Sequence, residues 1–230
     1  MLRIRSLLMP VLLLPMVHAD DAENTVSTNN GPAEALVSGF LLPPVHWDKN
    51  ISVVDVCGSP LQGVDNIVQW PDTTGELLKL MDALKYEYEL KYFQCVVFSL
   101  DSAATGEVAD KMLQSLLECV TACDMLKIPV RLALRKDESW VEVAPTYTNQ
   151  TACHLMLGED ASYRLFSEES LLLFSGQSVP ELESQLKSLA EKDTVLNLFW
   201  KPSAGNMASF VQLVELCNAL EVCYALYIEP

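Results

Sequence analysis

The chain has 230 residues, half of them hydrophobic, and its 31 acidic residues outnumber 15 basic ones to give a formal net charge of −16. That length can bury the core of one or two domains. So acidic a surface repels phosphate backbones and anionic headgroups, which predicts no nucleic-acid partner. The seven cysteines include no Cys-x-x-Cys pair, so neither a zinc ribbon nor a thioredoxin-type redox site has support in the sequence.

The N-terminal segment has the order of a cleavable secretory signal. Arg3 and Arg5 precede an apolar run over 7–17, and small residues end the segment. The alternative, an uncleaved membrane anchor, needs about 20 apolar residues, whereas this run is shorter and contains two prolines. We therefore predict a signal peptide over 1–19, a secreted protein of the periplasm or extracellular space, and a net charge of −18 without the two arginines. The polar stretch 20–35 is predicted to be a flexible leader.

The first half of the remaining chain alternates between strand and helix patterns. Short apolar runs predict strands, and apolar residues at helical spacing, such as Leu77, Leu80, Met81 and Leu84, predict helices. The predicted elements are strands over 51–57 and 66–70, a helix that starts at 72–74 and includes 76–84, a strand over 95–100, a helix over 107–126 and a strand over 130–134.

The second half repeats that order of elements. Its predicted elements are a hairpin of strands over 163–166 and 171–174, a helix near Pro180 with Leu182, Leu186 and Leu189 on its buried face, a strand over 195–200, a helix over 208–220 and a strand over 222–228. We predict an α+β fold of two similar subdomains, 36–140 and 141–230, each a small sheet with two helices on one face. The alternative to an internal repeat is that any α/β chain alternates in this way.

The pattern of the second half resembles the periplasmic domain of the ExbD/TolR biopolymer-transport family. The resemblance covers 163–230 and, more faintly, 51–135. It rests on a hairpin that ends in a glycine turn, a polar helix start with Glu-Leu-Glu, an apolar strand, a Phe-Val-Gln-Leu-Val-Glu-Leu-Cys helix and a terminal strand, at 171–176, 178–183, 195–200, 210–217 and 222–228. It implies an envelope setting, with self-association or cell-wall contact.

The chain lacks the acidic residues that the family uses in proton-driven transport. The apolar run at 7–17 has no acidic residue, and the loop Lys201–Gly205 lacks the acid that usually follows the strand, although Asp101 follows the corresponding strand in the first half. The resemblance therefore carries over no motor residue.

No residue is assigned a catalytic, cofactor-binding or metal-binding role. His154 adjoins Cys153, but neighbouring strand residues point to opposite faces and would not share a ligand. His46 is interpreted as loop packing, and Cys57 has no visible partner base. Gly58 to Gly63 lacks the lysine of a phosphate-binding loop.

Two further patterns are interpreted as surface features. The acid pairs Glu159-Asp160 and Glu168-Glu169 are interpreted as solvated turns, and the sequons at Asn50 and Asn149 would matter only in a eukaryotic secretory pathway.

These patterns predict a non-enzymatic envelope protein that acts by binding or self-assembly, as an accessory to an ExbD/TolR-type system. The predicted partner is a second copy, paired through a sheet edge at 222–228, or another envelope protein, or a cell-wall polymer. Membrane contact is expected only if the signal is uncleaved, and no cofactor is predicted. Two alternatives stay open. One is an exported hydrolase with a site between the subdomains that includes His154, and the other is an N-terminally anchored component of a membrane transport motor.

Overall fold

The computed structural model describes residues 40–42, 52–58, 67–136, 139–143, 145, 152–192 and 194–230. The predicted signal peptide, the leader, His46 and both sequon asparagines lie outside these described residues. The strands are β1 Phe40–Leu42, β2 Val53–Cys57, β3 Val68–Gln69, β4 Cys95–Asp101, β5 Val130–Lys136, β6 Ser139–Val143, β7 Ala152–Leu157, β8 Tyr163–Phe166, β9 Leu172–Gly176, β10 Val195–Trp200 and β11 Tyr224–Ile228. The helices are α1 Thr74–Glu89, α2 Gly106–Leu126, α3 Val179–Ala190 and α4 Met207–Ala219. The predicted α+β class is confirmed.

The first sheet has the strand order β3-β2-β4-β5-β6. Strands β3, β2, β4 and β5 are parallel, and β6 returns antiparallel to β5. Helices α1 and α2 connect these parallel strands. Such connections are almost always right-handed, and both advance in the same direction along the sheet, so the two helices lie on the same face. Alternate β4 residues, Val96, Phe98 and Leu100, belong to the hydrophobic core that includes the buried side of α2.

Local hydrogen bonds explain where α1 begins and where α2 ends. The Thr73 hydroxyl accepts from Glu76 N, which caps the start of α1, and it donates to the Glu76 carboxylate. The predicted start at 72–74 is therefore confirmed. Helix α2 ends at Lys127, whose left-handed φ of 59° turns the chain, so that the N–H of Ile128 reaches the carbonyl of Cys123.

The second sheet has the order β1-β11-β10-β7-β8-β9. Strands β7, β10 and β11 are parallel, β8 and β9 form an antiparallel extension on one side, and β1 pairs antiparallel with β11 on the other. Helix α4 packs against β10 through Trp200 and Phe210, whose rings stack with centroids 3.7 Å apart. Leu182 and Leu186 of α3 are buried in the same core.

The two sheets share one arrangement of three parallel strands and two helices. Strands β2, β4 and β5 correspond in order to β7, β10 and β11, and each last parallel strand has an antiparallel neighbour, β6 in the first sheet and β1 in the second. The first strand of the second repeat is therefore β7 and not a strand of the predicted hairpin. Strand β7 was not among the elements predicted for the second half. That hairpin is an addition that occupies the side where the first sheet has only the two-residue strand β3.

The predicted edge at 222–228 is wrong. Strand β11 lies inside the second sheet, with β10 on one side and β1 on the other, because residues far upstream supply the strand that covers it. The division into subdomains 36–140 and 141–230 stays a prediction. Strand pairing does not follow that division at two places. Strand β1 belongs to the second sheet, and β6, which includes residue 140, belongs to the first.

The described part of the chain contains no helix that is both long and apolar enough to cross a membrane.

Candidate functional site at the outer edge of the second sheet

The hairpin of β8 and β9 forms the outer side of the second sheet. Strand β8 pairs with β7, and β9 pairs with β8. Within the described part of the chain, no further strand pairs with the other side of β9. A strand in this position presents a row of backbone N–H and C=O groups to the surroundings.

Three consecutive leucines are exposed at this edge. Leu171, Leu172 and Leu173 have exposed fractions of 60%, 57% and 45%. Phe174, the next residue, is half-buried against the core and anchors the strand. Fully burying a leucine is worth about 1.5–3 kcal/mol, so each of these half-exposed side chains would gain roughly 1 kcal/mol if a partner covered it. Adjacent exposed leucines on a sheet edge are typical of an interaction site.

Nothing in the sequence of this edge protects it against pairing. Natural edge strands are commonly kept apart by charged side chains, by proline or by being very short. Residues 171–177 contain neither a charge nor a proline. Strand β9 is five residues long, whereas the edge strands β1 and β3 have three and two, and β6, an edge strand of the same length as β9, carries Glu142. A bulge between Leu165 and Phe166 bends the hairpin, but it leaves the leucines exposed.

A tight turn holds β9 in place. The N–H of Ser170, which has a φ of 63°, donates to the carbonyl of Ser167, and the N–H of Leu171 donates to the Ser167 hydroxyl at 3.2 Å. Glu168 and Glu169 are exposed at the tip of this turn. They form a solvated turn, as predicted.

The other acid pair is also part of a surface turn. Glu159 forms an ion pair with Lys201 at 2.7 Å. The Asp160 carboxylate accepts hydrogen bonds from the hydroxyl and the N–H of Ser162, and these bonds lower the pKa of Asp160. These contacts suit a surface turn, and the lowered pKa of Asp160 does not suit a general acid.

His154 is half-buried on β7, beside an amide and an aromatic ring. Its Nδ1 lies 3.4 Å from the Asn197 amide nitrogen, and its ring centroid lies 6.0 Å from that of Phe199. An amide nitrogen can donate only to a neutral imidazole, and burial lowers the pKa of His154, so both effects favour the neutral ring. Cys153 is buried in the core cluster, whereas the His154 side chain lies outside it, as predicted from their adjacent places in a strand.

Cys57, Gly58 and Asp101 lie near the carboxyl ends of β2 and β4. Cys57 is buried. A Cβ on Gly58 would come within 2.9 Å of the Met112 backbone in α2, so close packing requires glycine here and explains the position without a bound phosphate. The Asp101 carboxylate accepts from the N–H of Ala103 at 3.0 Å and closes a turn.

The cysteines, all of which lie in the described part, are buried except for Cys223. Burial raises the pKa of Cys217 to about 12 and raises that of Cys119 as well. Thiols held in the neutral form are poor nucleophiles and poor metal ligands. Among the described residues, no group of three or more His, Cys, Asp and Glu side chains is arranged to hold a metal ion.

A buried polar side chain with four hydrogen bonds was not predicted from the sequence. Asn206 is fully buried. Its Oδ1 accepts from Trp200 Nε1 and Ser203 N, and its Nδ2 donates to the carbonyls of Gly158 and Lys201, at 2.8–3.1 Å. Asn206 thereby joins the loop after β7 to the loop after β10. An asparagine just before a predicted helix was the available signal, but it suggests a helix cap, and this side chain does not cap α4.

Comparison with models of known protein families and with curated proteins finds no match for this chain.

Proposed function

We propose that this protein is exported to the envelope and acts by binding a polypeptide partner through β9, and not by catalysis. The observation that carries the proposal is the row of exposed leucines, 171–173, on an edge strand without a protecting charge or proline. Backbone groups of an edge strand supply affinity when an extended segment is added to the sheet, and neighbouring apolar side chains supply contact area.

The envelope setting is supported by the secretory pattern at 1–19 and by the resemblance to the ExbD/TolR periplasmic domain. We propose an accessory role beside such a system, without use of protons. The motor alternative depends on residues 1–19, which lie outside the described residues. The hydrolase alternative needs an acid and a hydroxyl beside His154, and the described contacts of that ring are instead Asn197 and Phe199.

The test is site-specific cross-linking in the cells that make the protein. A photo-reactive amino acid replaces Ser175, an exposed residue of β9, or Lys79, an exposed residue of α1. We expect a covalent adduct from position 175 and none from position 79, in the periplasmic or extracellular fraction. The adduct can contain a second copy or another protein, because either outcome reports binding at β9.

The control separates binding at β9 from general stickiness. Leu172 and Leu78 have nearly equal exposed fractions, 57% and 58%, but lie on β9 and α1 respectively. Leu172→Lys should abolish the adduct and Leu78→Lys should leave it unchanged. An adduct at position 175 that survives Leu172→Lys, or the absence of any adduct there, would disprove the proposed function.

A further inference from the structure

We infer that the partner of β9 is the β9 strand of a second copy of this chain, paired antiparallel about a two-fold axis. This inference rests on the proposed function and names its partner. It differs from the sequence prediction, which placed the pairing at 222–228, since β11 is covered on both sides. The product would be one continuous sheet in which the six strands of each copy are joined edge to edge.

The first argument is that the surface is self-complementary. A two-fold interface uses the same patch on both copies, so an apolar strand must meet an apolar strand. An antiparallel pair centred on Leu172 places Leu171 of each copy opposite Leu173 of the other. All the exposed leucines of both strands then contact leucines, and no polar side chain is placed among them.

The second argument is charge. The chain carries a net charge of −16, so two copies repel each other over most approaches. In the pair centred on Leu172 the paired stretch is 171–173, because 167–170 form the turn. The turn of one copy, with Glu168 and Glu169, then lies towards the Gly176 end of the other copy's β9, where 174–177 are uncharged. A parallel pair would instead place the two acidic turns side by side. The antiparallel arrangement is therefore the one that keeps the acidic turns apart.

The third argument concerns strength. One pair of short strands covers less surface than the roughly 1,200–2,000 Å² of a standard stable interface. We therefore expect a weak, reversible dimer that forms at micromolar concentrations.

The experiment combines sedimentation with amide hydrogen exchange on the purified full chain. We expect a monomer at low micromolar and a dimer at high micromolar concentration. Over the same range, exchange of the amides in 171–173 should slow by roughly tenfold or more, because strand pairing protects backbone N–H groups. Exchange in α1, which is distant from β9 in the chain, should not change with concentration.

The variants are those of the cross-linking test. Leu172→Lys should remove both the dimer and the protection, and Leu171→Lys is a second variant of the same edge. Leu78→Lys should behave as the wild type, and circular dichroism checks that each variant is folded.

A chain that stays monomeric at high micromolar concentration, or a dimer that leaves exchange in 171–173 unchanged, would overturn the inference. If position 175 still gives an adduct with a different protein in cells, the proposed function stands while the second copy is excluded as the partner. If no such adduct forms, both fail.

Discussion

At the scale of single residues, the side chains that attract attention by their chemistry are not the ones that hold this fold together. His154, Cys57 and the acid pairs are each explained by packing or by a surface turn. Asn206, whose side-chain amide does not titrate, uses all its hydrogen-bonding capacity inside the protein. Buried polar groups stabilise a structure only when all their partners are present, and this side chain meets that condition.

Replacing Asn206 with alanine should therefore lower the free energy of unfolding by about 3–5 kcal/mol. The change would remove the partner of Trp200 Nε1, of the Ser203 N–H and of the Lys201 carbonyl, whereas the Gly158 carbonyl keeps the N–H of Ala161. Each buried unpaired group costs about 1–3 kcal/mol. The measurement is urea-induced unfolding, followed by tryptophan fluorescence.

Gln212→Ala is the matched control, since Gln212 is exposed on the same helix. Its effect should stay within about 0.5 kcal/mol. A loss of less than about 1 kcal/mol for Asn206→Ala would show that the loops after β7 and β10 do not depend on this amide.

At the scale of elements, strand pairing decides which surfaces are available. Strands β9 and β11 are each five residues long and largely apolar. Strand β11 is covered on both sides and β9 on one. The difference comes from β1, a strand of three residues that precedes the first sheet in the chain. Strand β1 pairs with β11 and so covers that side of the second sheet. Leu42 of β1 is buried in the core cluster, with an exposed fraction of 3%.

Leu42→Ala should lower the free energy of unfolding by about 2–5 kcal/mol, as removal of a buried leucine side chain does elsewhere. The reason is that the cavity would lie where β1 packs on the core, and β1 has few backbone pairs to compensate for it. Thermal and urea unfolding measure the loss.

Leu78→Ala, at a leucine with an exposed fraction of 58%, is the comparison. We expect its effect to be below about 0.5 kcal/mol. Equal effects of the two substitutions would mean that β1 contributes no more to stability than a surface position.

At the scale of the whole molecule, net charge opposes the association that we propose for β9. The formal charge of −16 is spread over the entire chain, whereas 171–177 contains no charge. The balance between electrostatic repulsion and apolar contact at β9 should depend on ionic strength. Screening shortens electrostatic repulsion from about 30 Å at 0.01 M salt to about 8 Å at 0.15 M, and it leaves apolar contact intact.

We therefore expect the dimer dissociation constant to fall by roughly threefold to tenfold between 0.01 M and 0.15 M salt. Sedimentation equilibrium at several salt concentrations measures it. Leu78→Lys, which changes the charge by one unit away from β9, should follow the wild-type curve. A dissociation constant that rises as salt is added would instead indicate that ion pairs hold the two copies together.

The local part of this fold could be predicted from the sequence alone. The apolar spacing of 182, 186 and 189 and the caps at 72–74 led to helices that the structure has. The runs at 95–100, 130–134 and 195–200 likewise became strands. These signals are local, because a helix or strand shows its buried face within a few residues. The same reasoning assigned Cys153 and His154 to opposite faces of a strand.

Tertiary structure alone decided which strands are neighbours. Strand β1 has three residues and pairs with β11, which lies at the other end of the chain, so no local pattern could reveal it. Leu171–Leu173 and the apolar residues of 224–228 look alike as sequence, and only the order of strands places one at an edge and the other inside the sheet. Strand pairing joins backbone groups that are distant in the chain. The candidate binding edge therefore follows from the fold, while the residues that make it apolar follow from the sequence.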